Sequence, residues 1–363
     1  MIRTETNEVF APPPKPSFLE TLHQRLFKNW FDSLNTVVAL VFLIWVISTF
    51  LQWAVFGAVW REANVEACQA ASGACWSVIE ARGRLVLFGL YPFEQHWRSA
   101  LACMFIILTI IASCIPYFWS ARKIASLWLV GFGLFILFMR GGLFGLSTIT
   151  TEQWGGLSLT IFIFASVALI GMPLSVLLAL ARNSNLPVIR NLAIGIIDVT
   201  RSLPLLTILF TAAVVMPFVL PNWAQGDKLF RVIAAFGLFF AAYQAEIIRG
   251  GMQVIPFGQN EAAKALGLSY WHTIGTIILP QAFRNALPAT INQFVITFKE
   301  TSLVVIIGFF EIMASGSAAF GTGVWTHYYV EVYFFVALIY FVFVFGLSRY
   351  GAFLENRMRV GHD

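Results

Sequence analysis

GLSLTIFIFASVALIGMPLSVLLALA, residues 156–181, runs its full length without a charged side chain. About 20 mostly apolar residues let an α-helix cross the hydrocarbon layer of a membrane, so this stretch predicts a transmembrane helix. Further apolar stretches occupy residues 37–56, 99–119, 124–147, 203–220, 232–248, 288–313 and 332–348. The sequence therefore predicts an all-α integral membrane protein, a polytopic helical bundle of about eight transmembrane helices.

The composition of the chain requires a lipid environment. Hydrophobic residues make up 59% of the sequence and charged residues 11%, and the mean hydropathy is +0.79, whereas soluble domains carry about 25% charged residues. The net charge of +5 comes from Lys and Arg residues dispersed among apolar segments, without a basic run that could follow a phosphate backbone. We therefore expect membrane lipid around the chain and no nucleic acid among its partners.

The distribution of basic residues predicts the orientation of the chain. Cytoplasmic loops are enriched in Lys and Arg, and most of the 23 basic residues lie on the cytoplasmic side if both termini do. Loop 57–97 then faces an oxidising compartment, where Cys68 and Cys75 could form a disulfide, although the sequence leaves this pairing open. Cys103 and Cys114 lie within an apolar segment, which predicts buried free thiols.

The chain begins with a polar, proline-rich segment, residues 1–16, which we expect to be disordered. Ser17 and Glu20 have the spacing of a capping box, in which each side chain binds the backbone N–H of the other residue. The helix that follows carries one apolar stripe, formed by Phe18, Leu22, Leu26 and Trp30. This pattern predicts an amphipathic helix lying along the cytoplasmic membrane surface.

The sequence offers no residue set for catalysis, metal binding or nucleotide binding. A P-loop needs a Gly-Lys pair, and no Lys of this chain follows a Gly. The five His residues are scattered, no His-Glu-x-x-His pattern occurs, and no Ser/His/Asp set can be assembled. We expect a chain that is not an enzyme and has no metal site or cofactor of its own.

The loop between residues 249 and 288 carries the most informative pattern. Asn260 is a predicted N-cap, and Ser269 is predicted to cap a second short helix that runs to Pro280. The first helix would have an acidic start, a small apolar face and a left-handed glycine end, formed by Glu261, Ala262, Ala265, Leu266 and Gly267. Two short helices at the membrane surface would form a compact projection that the groove of a partner protein could receive.

This loop resembles the EAA loop of the permease subunits of ABC importers, through the spacing of Glu261-Ala262-Ala263, Gly267 and Leu279-Pro280. In that family the loop contains the coupling helix, which lies in a cleft of a separate ATPase subunit. The resemblance implies that the residues coupled to the ATPase are Glu261, Ala262, Ala263, Leu266 and Gly267. It also implies that ATP and Mg²⁺ bind to the partner ATPase and not to this chain.

Three further segments resemble the polar amino-acid permeases of the same family: residues 198–206, 245–251 and 298–303. The resemblance covers about residues 157–350 and implies a five-span core of the type I ABC-importer permease fold. The N-terminal part, with three extra spans, looks similar to the long M-type permease subunits of the general L-amino-acid transporters of proteobacteria. The implied regions are a cytoplasmic tail with an interfacial helix at 1–35, extra spans with a periplasmic loop (57–97) at 36–156, the core with its EAA loop (251–286) at 157–350, and a cytoplasmic tail at 351–363.

The resemblance implies a permease subunit that carries L-amino acids, including glutamate, aspartate and their amides, from periplasm to cytoplasm by ATP-driven alternating access. The implied partners in the bacterial inner membrane are a second, homologous permease, two copies of the ATPase and a periplasmic amino-acid-binding protein. An ion-coupled secondary amino-acid transporter is the alternative, and it would leave the EAA-like loop without a purpose.

Charged residues within a predicted span mark the candidate substrate passage, because a charge in hydrocarbon is costly. Lys299 and Glu300 interrupt the predicted span 288–313 near its middle and point about 100° apart on a helix. Thr301 and Ser302 add hydroxyl groups beside them. An amino acid is a zwitterion, and Glu300 is the natural acceptor for its ammonium group.

Arg201 could bind the carboxylate of the same amino acid. Alternatively, Asp198 neutralises Arg201, or Arg201 pairs across the bundle with Glu300, which then only holds helices together. Glu246 and Arg249 are three residues apart, which predicts a structural ion pair at the membrane edge.

Overall fold

The structure of the protein, a computed structural model, describes residues 17–61 and 65–359. Within these residues the regular structure is helical apart from a two-residue strand, β1 (Phe310–Glu311). Internal contacts divide the chain into two units, Met1–Trp76 and Ser77–Asp363. The predicted disorder of residues 1–16 lies outside the described residues.

The first unit contains α1 (Phe18–Leu26), α2 (Trp30–Leu51) and α3 (Val65–Ala70), and α2 continues in a π-helical turn, Gln52–Phe56. The capping box of α1 is confirmed, because the Ser17 N–H donates to Glu20 Oε2 at 2.9 Å and the Glu20 N–H to Ser17 Oγ at 3.2 Å. The prediction that Trp30 extends the stripe of α1 is wrong. The backbone leaves the helical conformation at Phe27, with φ −131°, and Trp30 begins α2.

A compact segment follows α2 in the first unit. The sulfur atoms of Cys68 and Cys75 are bonded to each other, and a parallel bridge pairs Val59 with Cys75. Gly73 lies so close to Gly57 that a Cβ atom on Gly73 would be 2.4 Å from the Gly57 carbonyl carbon. The close approach of Gly57 and Gly73 and the Val59–Cys75 bridge join the end of α2 to residues 73–75.

The second unit contains most of the helices: α4 (Ser77–Phe88), α5 (His96–Ser113), α6 (Ala121–Arg140), α7 (Gly156–Arg182), α8 (Pro187–Ser202), α9 (Leu205–Phe210), α10 (Met216–Val219), α11 (Asn222–Gln225), α12 (Lys228–Gln253), α13 (Phe257–Ala265), α14 (Tyr270–Thr273), α15 (Leu279–Glu300), α16 (Ile312–Phe320) and α17 (Tyr329–Arg359). Across the described chain, 7 helices are long and apolar enough to cross a membrane, and there are 8 spans if the bent pair Pro187–Ser202 and Leu205–Val219 is one span. The predicted all-α bundle of about eight transmembrane helices is confirmed.

Helix α12 is the centre of packing in the second unit. It packs along α7 and α15, α8 and α9 lie against it, and α17 packs on α15. The fully buried rings of this core include Phe162, Phe236, Phe240 and Phe298. Helices α5 and α6 pack on each other, and α5 is joined to α7 by a buried hydrogen bond of 2.8 Å between Ser99 and Ser158.

The predicted span 203–220 is only one arm of a bent pair of helices. Leu203 is extended, with ψ 141°, and Pro204 lacks the N–H that would continue the hydrogen bonding of α8. The chain therefore turns by 105° between α8 and the following helices.

The predicted span 288–313 also differs from the observed helix. Helix α15 already starts at Leu279, ends at Glu300 and passes into a 3₁₀ turn, Thr301–Ile307. Lys299 and Glu300 therefore close α15 and do not interrupt it in its middle. A turn at Gly308, where φ is +85°, then separates this helix from β1 and α16.

The end of α4 is fixed to the start of α7 by contacts between backbones. A Cβ atom on Gly89, where φ is +60°, would lie 2.6 Å from the Gly155 Cα atom. A Cβ atom on Gly156, where φ is +62°, would lie 2.1 Å from the Leu87 carbonyl oxygen. β1 also pairs with Gly155 and Gly156 in two parallel bridges. Only glycine meets both the conformational and the steric requirement at these positions.

We expect Gly156→Ala to destabilise the protein by at least about 1–3 kcal/mol, because a Cβ atom at positive φ would be strained and would also overlap the Leu87 carbonyl. The measurement is the melting temperature of the purified protein in detergent. Gly133→Ala is the matched control, since Gly133 lies within α6 with nothing within 4 Å of its Cβ position. Equal melting temperatures for the two variants would contradict the close approach.

Candidate functional site

The first short helix predicted in the loop between residues 249 and 288 is present as α13 (Phe257–Ala265). It begins at Phe257, and Pro256 is its N-cap. The prediction that Asn260 is the N-cap is therefore wrong, because Asn260 is already the fourth residue of the helix. The left-handed turn at Gly267 is confirmed, with φ +72°. Its N–H donates to the Lys264 carbonyl at 3.0 Å.

The predicted second short helix has the predicted cap but not the predicted end. Ser269 caps α14 by accepting from the His272 N–H at 3.4 Å. The chain then continues through a π-helical turn, Ile274–Ile278, into α15, where Pro280 lies in the first turn. Proline has no N–H to donate, and it lies directly after the π-helical turn, where regular helical hydrogen bonding is already interrupted. Helix α14 thus continues into the transmembrane helix α15 without a break in the helical backbone.

Exposed apolar side chains surround the start and end of α13. Phe257 is 87% exposed, Leu266 77% and Trp271 72%. Glu261 and Ala262 are exposed as well, whereas Ala263 is buried and anchors the helix to the rest of the unit. Exposed apolar patches of this kind mark protein interaction sites. Phe257 and Trp271 were missed by sequence reasoning, although aromatic residues in an otherwise polar loop could have identified them.

A cluster of charged side chains lies near the end of α12 that leads to α13. Glu246 is its centre and accepts from Arg249 at 2.7 Å and from Arg182 at 3.1 Å, with Arg201 3.8 Å away. Asp198 pairs with Arg182 at 2.8 Å. The cluster joins α7, α8 and α12 just before the bend that follows α8. The predicted Glu246–Arg249 pair is confirmed.

Arg201 belongs to this cluster and is not close to Glu300. Its guanidinium group also lies 5.2 Å from the centre of the Tyr243 ring. Gln244, two residues before Glu246, donates to Thr290 at 2.8 Å, and Thr290 precedes Glu300 by ten residues of α15, or about 15 Å. The structure therefore does not bring Arg201 and Glu300 together around one amino acid, and Asp198 neutralises Arg182, not Arg201.

The remaining residues of the predicted passage lie together at the end of α15. The Thr301 hydroxyl is buried and donates to the Phe298 carbonyl at 2.7 Å, and the Ser302 hydroxyl donates to the Lys299 carbonyl at 2.8 Å. Glu300 is half-buried, and its Oε2 atom has no hydrogen-bond partner among the described residues. Lys299 is exposed. A buried carboxylate oxygen without a partner is available to an incoming cation.

Arg231 contacts the second arm of the bent pair of helices, the arm that begins with α9. Helix α9 passes into a π-helical turn, Thr211–Val215, which displaces carbonyl groups from regular helical bonding. Arg231 of α12 donates to the Ala212 carbonyl at 3.1 Å and to the Ala213 carbonyl at 3.3 Å. Helix α12 therefore holds the bent span at two places, through Glu246 and through Arg231.

No group of three or more His, Cys, Asp or Glu side chains that could hold a metal ion occurs in residues 17–61 and 65–359.

Comparison with known proteins identifies relatives over nearly the whole chain. Residues 171–360 match the family described as binding-protein-dependent transport system inner membrane component. The inner membrane amino-acid ABC transporter permease protein YhdY of Escherichia coli K12 is 39% identical over 370 residues, covering 98% of this chain and 99% of that protein. The glutamate/glutamine/aspartate/asparagine transport system permease protein BztC of Rhodobacter capsulatus is 32% identical and covers 98% of each chain. Among solved structures, an amino acid ABC transporter crystallised with histidines shares 32% identity over 56% of this chain and 92% of its own, with a TM-score of 0.49.

We expect Glu246→Gln to destabilise the protein by about 1–3 kcal/mol, because three guanidinium groups lose the carboxylate that they share. The measurement is the melting temperature in detergent. Glu152→Gln, at an exposed position, is the control and should leave it unchanged. A Glu246→Gln protein as stable as the control would show that the cluster does not hold α8.

Proposed function

The chain belongs to the family of binding-protein-dependent transport system inner membrane components, and from this membership we propose that it is the permease subunit of an ATP-driven importer of L-amino acids. The observation that carries the proposal is the similarity to amino-acid ABC permeases over 98% of the chain, extra N-terminal spans included. Because BztC is named for glutamate, glutamine, aspartate and asparagine, we infer a broad substrate range that includes these acids and their amides.

The partners follow from the exposed surface around α13. We propose that Glu261, Ala262, Leu266 and the neighbouring apolar side chains contact a separate ATPase subunit, two copies of which bind the assembled transporter. Ala263 is buried and supports this surface from behind. ATP and Mg²⁺ are assigned to the ATPase. A second, homologous permease completes the passage, and a periplasmic amino-acid-binding protein delivers the substrate.

The mechanism that fits this arrangement is alternating access. Helix α12 ends at Gln253, and α13 begins at Phe257, so a displacement of α13 by the ATPase acts almost directly on α12. Because α12 holds the bent span α8–α9 through Glu246 and Arg231, the span would move with it. An ion-coupled secondary transporter has no ATPase for the α13 surface to contact, and the relatives give that alternative no support.

The substrate passage is proposed at the end of α15, with Glu300, Thr301, Ser302 and Lys299 as its polar residues. The unpartnered carboxylate oxygen of Glu300 suits the ammonium group of an amino acid. Arg201 is already engaged with Glu246 near the end of α12 that leads to α13, and we assign it to the cytoplasmic exit of the passage.

Both termini are proposed to be cytoplasmic in a bacterial inner membrane, which places loop 57–97 in the periplasm. The bonded pair Cys68–Cys75 supports this orientation, because structural disulfides persist in oxidising compartments.

We expect Gly267→Pro to uncouple ATP hydrolysis from amino-acid uptake. Proline requires φ near −65° and has no N–H, whereas Gly267 has φ +72° and donates to the Lys264 carbonyl. The measurements are ATPase activity and uptake in proteoliposomes that contain the complete transporter. Gly267→Asn is the matched control, because asparagine tolerates the left-handed conformation. Normal coupling in Gly267→Pro would contradict the docking of this loop on the ATPase.

We expect a membrane-impermeant maleimide to label Cys68 and Cys75 from the periplasmic side, and only after reduction of the disulfide. Cys103 and Cys114, within or next to the end of α5, should stay unlabelled in intact spheroplasts. A double variant with serine at positions 103 and 114 is the control and should give the same pattern. Labelling that requires permeabilised membranes would reverse the proposed orientation.

A further inference from the structure

Lys299 lies near the middle of the membrane. Its neighbour Phe298 packs against the rings of Tyr340 at 5.4 Å and Phe343 at 5.3 Å, counted between ring centroids. On α17, Tyr340 is nine residues from Glu331 and nine from Arg349, the charged residues that bracket the apolar run of this helix. Nine residues of helix correspond to about 14 Å, so Lys299 is close to the centre of a hydrocarbon layer about 30 Å thick.

The Lys299 ammonium group has no hydrogen bond or ion pair within residues 17–61 and 65–359. Glu300 points to another side of α15. Glu311 is fully buried and accepts from the N–H groups of Met313 and Ala314, both at 2.9 Å. In the described part of the chain, neither Glu300 nor Glu311 forms an ion pair with Lys299.

An open groove of about 560 Å³ lies between α15 and α17, and Lys299 lines it. Ser302, Tyr333 and Tyr340 contribute hydroxyl groups to the same groove, and the other lining side chains are apolar. The volume is within the usual range of small-molecule sites, about 300–1,000 Å³. The groove thus combines one free cation with room for a solute of amino-acid size.

A lipid phosphate group cannot be the counter-ion of Lys299 in this groove. Lipid phosphates lie at the membrane surface, about 15 Å from the bilayer centre. The Cα–Cβ bond of a helical residue is tilted toward the helix N-terminus, so Lys299 leans away from the nearer end of α15. Lysines at this depth almost always face a bundle interior or a water-filled cavity. The groove therefore faces the interior of the assembled transporter.

We propose that Lys299 binds the carboxylate group of the transported amino acid in the groove between α15 and α17. This proposal rests on the proposed function as an amino-acid importer. A lysine ammonium group has three donors and no acceptor, which suits a carboxylate. Arg201, the other candidate for this role, already has an acidic partner.

The test is direct binding of radiolabelled L-glutamate and L-glutamine to the assembled transporter in nanodiscs, without the binding protein. We expect Lys299→Met to weaken binding of both by roughly ten- to a hundredfold, the usual loss for a hydrogen bond to a charged group. Lys299→Arg should stay within about tenfold of the original affinity, since the charge is kept. Lys123→Met is the control and should bind normally, because Lys123 lies on the Tyr117 ring, far along the chain from the groove.

Unchanged affinity in Lys299→Met would overturn the proposal. Native mass spectrometry of the same samples provides the second readout. Loss of the partner permease from the Lys299→Met assembly would also overturn it, because the lysine would then pair with a carboxylate of that subunit. Failure of the proposed function itself looks different: the unmodified complex, supplied with ATP and binding protein, would not accumulate any amino acid.

Discussion

Inside a membrane, a carbonyl group that leaves its helical hydrogen bond finds no water and needs a donor from the protein. Cationic side chains supply that donor at the breaks of this bundle. Arg231 binds the displaced carbonyls of the π-helical turn after α9, Arg98 binds the Phe138 carbonyl near the end of α6, and Lys228 binds the Ile307 carbonyl. At these three breaks, backbone carbonyl groups accept hydrogen bonds from cationic side chains.

Among the acidic residues, Glu246 has a different role from these cations, because it joins helices through side chains. Glu246 is shared by three arginines from three helices, and it ties the bent span to α12 on the side of α13. Arg231 joins α12 to the second arm of the bent pair through its hydrogen bonds to the carbonyls of the π-helical turn. Helix α12, 26 residues long, thus contacts both arms of its bent neighbour, and the segment that follows it is the one with exposed Phe257 and Leu266.

Local features of the structure could be predicted from the sequence, whereas features set by distant contacts could not. The capping box at Ser17, the cap at Ser269 and the Glu246–Arg249 pair each involve residues three positions apart, so the sequence contains both partners. The engagement of Arg201 with Glu246 depends on the packing of α8 on α12, which no local pattern encodes. The start of α15 at Leu279 was missed because its first half is polar enough to resemble a loop, and the π-helical turn before it leaves no break at Pro280.

The backbone contact between Gly89 and Gly155 joins α4, the part of the N-terminal extension that lies in the second unit from its start, to α7. Helix α4, which belongs to the extension by sequence, packs on α16 of the core, and its last turn leaves no space for a side chain at residue 89 or 156. Residues 89, 155 and 156 are therefore constrained together, because a side chain at any one of them requires the facing backbone to move.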